Sequence, residues 1–66
     1  MVYTIRREVV GGTTISLGQR FFLMDFQVEV KKAGDVIELF RYPLGDKGET
    51  KATAQYESCL EKYKSA

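Results

Sequence analysis

Arg20-Phe21-Phe22-Leu23-Met24-Asp25-Phe26-Gln27-Val28-Glu29-Val30-Lys31 is the stretch that decides the fold. Phe22, Met24, Phe26, Val28 and Val30 are apolar at even positions, and Asp25, Gln27, Glu29 and Lys31 are polar at odd ones. A period of two marks a strand with one buried face. The pattern predicts a strand over residues 20–31.

Neighbouring segments repeat the signal. Over residues 2–10, Tyr3, Ile5 and Val9 alternate with Thr4, Arg6 and Glu8 until Gly11-Gly12 ends the run. Glycine pairs mark tight turns, so a hairpin into residues 13–17 follows. A two-residue loop would set Ile15 opposite Glu8. A loop with an odd number of residues sets it opposite Val9, and register follows the buried face, which favours the odd loop. The apolar set of residues 13–17 lies at odd positions, and that of residues 20–31 at even ones. Gly18 is the expected site of a bulge or break that changes the parity. After Lys32-Ala33-Gly34-Asp35 a fourth strand is predicted over residues 36–43, ending at Pro43. A four-residue loop places Val30 opposite Ile37 and Val28 opposite Leu39.

The C-terminal part changes period. Ala52, Tyr56, Cys59, Leu60 and Tyr63 form one helical stripe, with Lys51, Glu57, Glu61, Lys62 and Lys64 on the other side. The pattern predicts a helix over residues 50–64, with Asp46 or Thr50 as its cap. The expected architecture is α+β: a single domain, residues 1–66, with a three- to four-stranded antiparallel meander and one C-terminal helix packed on one face.

Composition narrows the chemistry. The 66 residues carry ten Lys+Arg and nine Asp+Glu, a formal net charge of +1, one cysteine and no histidine. One cysteine makes no intramolecular disulfide, and without histidine it makes no zinc site of Cys and His ligands. A core this small rarely supplies more than roughly 3–5 kcal/mol alone, which makes self-association the remaining means of support. Met1-Val2-Tyr3-Thr4-Ile5-Arg6-Arg7 lacks the pattern of a signal peptide. The longest apolar run, Phe21-Phe22-Leu23-Met24, is far short of the roughly 20 residues that cross a bilayer. With its single thiol, the chain reads as a cytoplasmic protein with no membrane partner.

No catalytic residue, metal ligand, cofactor or small-molecule substrate is expected. Cys59 lies on the apolar stripe, where a thiol is inert. Asp25, Glu29 and Glu38 project from strands without an enclosing pocket. Gly11-Gly12 lacks the spacing of a phosphate-binding loop.

A protein partner is the favoured expectation. The predicted register puts Phe40 and Tyr42 on the odd-numbered face with Phe21 and Leu23, away from the helix. Four large apolar side chains on an uncovered face point to an interface, with Asp25 and Arg41 as its charged rim. The chain is therefore expected to be a non-enzymatic interaction module, self-associating as a homo-oligomer or docking a protein through its open sheet face. The alternative is nucleic-acid binding by Arg6, Arg7, Lys31, Lys32 and Arg41.

Thr50-Lys51-Ala52-Thr53-Ala54, following a strand, resembles the helix start in arm-type DNA-binding domains of phage integrases. There a three-stranded sheet precedes the helix, so the resemblance implies DNA binding. Those domains are much more basic than this chain, which sets the nucleic-acid expectation second.

Overall fold

The computed structural model describes residues 2–64, and the side chains of residues 3–64. Among them four strands and one helix follow in order: β1 (Val2–Val10), β2 (Thr13–Arg20), β3 (Asp25–Lys32), β4 (Asp35–Pro43) and α1 (Asp46–Lys64). The strands form one antiparallel sheet in the order β1-β2-β3-β4. The helix packs on one face, and the α+β meander is as the periodicities predicted.

Two of the three hairpins close on two residues. Gly11 and Gly12 have φ of +56° and +79°, and Ala33 and Gly34 of +54° and +84°. Positive φ at both central residues gives the turn whose twist matches a hairpin. At Gly11-Gly12 this overturns the odd loop: Ile15 pairs with Glu8 and Leu17 with Arg6. Burial does not set this register, because β1 has no buried face. Its residues from Tyr3 to Val9 are all exposed.

The strand predicted over residues 20–31 is two elements. β2 runs to Arg20, residues 21–24 form a turn, and β3 begins at Asp25. Ile15 pairs with Val30, Leu17 with Val28 and Gln19 with Phe26. A turn of four residues sets odd positions opposite even ones, so the parity change needs no bulge in β2. An irregularity does occur beside Gly18, but in β1, between Thr4 and Arg6.

A second irregularity decides which residues share a face. Lys31 pairs with Val36, but Val30 pairs with Glu38, so β4 carries one extra residue, Ile37. Beyond this bulge the register slips by one. Val28 lies opposite Phe40 and Phe26 opposite Tyr42. A one-residue slip exchanges the two faces of a strand. Phe40 and Tyr42 therefore pack toward the helix, against the core of Ile15, Leu17, Phe26, Val28, Val30, Ala52, Tyr56 and Cys59.

The helix begins four residues before the predicted Thr50. Gly45, at φ +127°, accepts the N–H of Glu49 at 2.9 Å, so it is the first carbonyl of the helix. Asp46, Glu49 and Thr50 are already inside, and the Thr50 hydroxyl donates back to the Asp46 carbonyl at 2.9 Å. Gly48 is what allows the early start. A Cβ there would lie 1.6 Å from the Pro43 carbonyl oxygen, so the first turn can approach the end of β4 only as glycine.

Candidate interaction site at the hairpin tip

The turn between β2 and β3 carries the candidate site. Phe21, Phe22, Leu23 and Met24 are 58%, 91%, 63% and 64% exposed. No other consecutive run of described residues combines large apolar side chains with such exposure. They lie beyond the last ladder pair, past the reach of the helix stripe.

The base of the tip is tied. Arg20 and Asp25 are directly opposed as the last pair of the hairpin. The Arg20 guanidinium donates from Nε to Asp25 Oδ1 at 2.7 Å and from a terminal nitrogen to Oδ2 at 2.5 Å. This bidentate fork is the strongest geometry for such a pair. It holds the Asp25 carboxyl below its usual range and raises the guanidinium further. Met24 takes the left-handed conformation, φ +56°, and its carbonyl accepts the N–H of Leu44 at 3.1 Å. The tip is thus braced to the connection between β4 and the helix.

The residues foreseen as one interface divide into three places. Phe21 and Leu23 sit on the tip rather than on a sheet face. Phe40 and Tyr42 lie on the helix side, partly buried, and the Tyr42 hydroxyl donates to Gln55 Oε1 at 3.1 Å. Asp25 and Arg41 do lie on the open face, where Arg41 Nε reaches Gln27 Oε1 at 3.5 Å. The anticipated apolar patch on the open face is not formed. Much of that face is polar, as expected of the solvated side of an antiparallel sheet. Thr4, Arg7, Thr14, Ser16, Glu29 and Lys31 line a shallow trough along it.

Sequence reasoning missed Phe22 and Met24 as site residues because both continued the even-numbered alternation. A usable signal was present: opposite charges, Arg20 and Asp25, bracket four apolar residues at the spacing of a closed hairpin turn.

The five basic residues of the alternative reading also divide. Register places Arg7, Lys31 and Arg41 on the open face, but Arg6 and Lys32 on the helix side. Arg6 lies over the Tyr56 ring, 4.8 Å from its centroid.

A further polar cluster ties the helix to the sheet. Glu38 on β4 accepts hydrogen bonds from the Tyr63 hydroxyl and from Lys62 Nζ, the latter at 3.2 Å. These bonds hold the Glu38 carboxyl below its usual range and tie the end of α1 to β4. Cys59 is buried on the helix stripe. Among the described residues no group of three or more His, Cys, Asp or Glu side chains is placed to hold a metal ion. No described helix is long and apolar enough to cross a membrane.

Compared with known proteins, the chain matches no family model, no curated protein and no solved structure.

Proposed function

We propose that the protein is a non-enzymatic interaction module that docks into an apolar groove of a partner protein, with its β2–β3 tip as the inserted element. The observation that carries this reading is the exposure of four consecutive large apolar side chains on a braced turn. Bracing removes much of the ordering cost of binding, and aromatic side chains are the commonest anchors of protein interfaces.

Area and charge support a concave protein surface over two other covers. Four such side chains expose on the order of 400–500 Å². A stable interface needs about 800 Å² from each partner, so tip-to-tip packing of two copies is too small. A groove adds contacts along both flanks of the hairpin. Insertion into a bilayer is weaker still. A single myristoyl chain gives only marginal membrane binding without a basic patch beside it. Here Arg20 is paired with Asp25, and Asp46 and Glu49 offset Lys47 and Lys51 in the first turns of the helix. Nucleic-acid binding is the less supported alternative, because the five basic residues lie on two faces and Asp25 and Glu29 share the open one.

A photo-reactive benzoylphenylalanine in place of Phe22, irradiated in the cells that make the chain, tests the proposal. The expected result is one dominant protein adduct that disappears when Leu23→Asp is added. The purified partner should then bind the unlabelled protein at least about tenfold more tightly than Phe22→Ala. Adducts with lipid only, or no discrete adduct, would overturn it.

A further inference from the structure

The edge strand β1 is the second surface that the fold leaves uncovered. It is nine residues long, forms one border of the sheet, and pairs only with β2. Tyr3, Ile5 and Val9 are 60%, 44% and 66% exposed. An uncovered edge is a template for another strand, and native edges are blunted by charge. The charges of β1 are Arg6, Arg7 and Glu8, and their order matters.

We propose that two copies of the chain join through β1, antiparallel about a twofold axis at Arg7, into one eight-stranded sheet. In that register Arg6 of each copy lies opposite Glu8 of the other, on the helix side. Two cross-strand ion pairs of opposite sign result, which stabilise an antiparallel ladder. Within one chain Arg6 and Glu8 meet only at 4.0 Å, with both side chains nearly half exposed, so neither is committed elsewhere by a tight ion pair. The regular part of this ladder runs from Arg6 to Glu8, because Ile5 is the extra residue at the irregularity in β1. Arg7 opposes its own counterpart on the open face, the one like-charge contact.

Neighbouring registers that keep both helices on one side do worse. Centring on Arg6 opposes Arg6 to Arg6, and centring on Glu8 opposes Glu8 to Glu8 with Arg6 against Val10. The charge order of β1 therefore selects the Arg7-centred pairing. The other edge, β4, is less available: its Glu38 is held by Tyr63 and Lys62, and Pro43 has no N–H to donate. Isologous pairing of this kind closes at two copies. Because Tyr3 pairs with Gln19, β1 starts at the tip end of the sheet. Antiparallel joining then sends the two tips to opposite ends, and the dimer would present two docking elements. The pairing itself does not depend on what the tips bind.

Sedimentation of the full chain up to about 1 mM, with circular dichroism of each variant, tests this. Wild type is expected to be a dimer. Glu8→Arg should be a folded monomer at concentrations where wild type is dimeric, and Arg6→Glu with Glu8→Arg should restore the dimer. Should the doubly changed chain lose its fold with the Arg6–Tyr56 contact, Arg7→Thr replaces it as the test, with a roughly threefold tighter dimer expected. A wild type that stays monomeric throughout, a dimer that survives Glu8→Arg, or an Arg7→Thr dimer no tighter than wild type would overturn the proposal.

Discussion

The β2–β3 hairpin has two halves with opposite fates. In its body, Ile15, Leu17, Phe26, Val28 and Val30 are buried beneath the helix. At its tip, Phe21, Phe22, Leu23 and Met24 are as apolar and lie in water. Chemistry of the side chains does not separate them; the reach of the helix stripe does. Gly48, Ala52, Tyr56 and Cys59 are the buried face of α1, and its first turn stops against Pro43. Residues beyond that end of the sheet are left without a cover. Burial in so small a domain is scarce, and the exposure of these large apolar groups is what the proposed docking role rests on.

Changes beneath the helix should have the largest effects. Ile15→Ala removes a fully buried side chain from under the helix and should cost about 2–5 kcal/mol, read from urea unfolding. Gly48→Ala should cost about 3 kcal/mol in the same measurement, since the added methyl meets backbone and lifts the helix that distinguishes body from tip. Tyr56→Phe should go the other way. The Tyr56 hydroxyl is buried with no hydrogen-bond partner among the described residues, so its removal is expected to be neutral or to stabilise by up to about 1 kcal/mol.

A smaller effect comes from acid. The Glu38 carboxyl is held below its usual range by the Tyr63 hydroxyl and Lys62, so its folded-state value is depressed. Its contribution is complete above the unfolded carboxylate range and is lost as pH falls through the depressed value. Thermal melts from pH 6 downward should therefore fall less steeply for Glu38→Gln than for wild type below about pH 4. Equal slopes would show that the clasp adds nothing.

Most of the architecture was legible in the sequence because two of its four strands and the helix present a clean period to a core. Phe26, Val28 and Val30 against Gln27, Glu29 and Lys31, and Ala52 through Tyr63, placed sheet and helix correctly. What escaped were local departures from period. Phe22 and Met24 continued the alternation into a turn that has no Gly, Pro, Asn or Asp among its four residues. Ile37, an extra residue in β4, moved Phe40 and Tyr42 from the open face to the helix side, and nothing in its chemistry announces a bulge. The β1 register could not follow burial because its residues from Tyr3 to Val9 are all exposed. Of the residues anticipated as one apolar interface, Phe21 and Leu23 lie on the tip, and Phe40 and Tyr42 pack, partly buried, against the core.

The smallest effect is expected at the tip, which lies outside the folding core. Phe22→Ser with Leu23→Ser removes two large apolar side chains, and the melting temperature of that variant beside wild type is the direct measurement. An unchanged melting temperature, corresponding to within about 0.5 kcal/mol per site, is the predicted result. A loss comparable to that of Ile15→Ala would mean instead that the tip is part of the core.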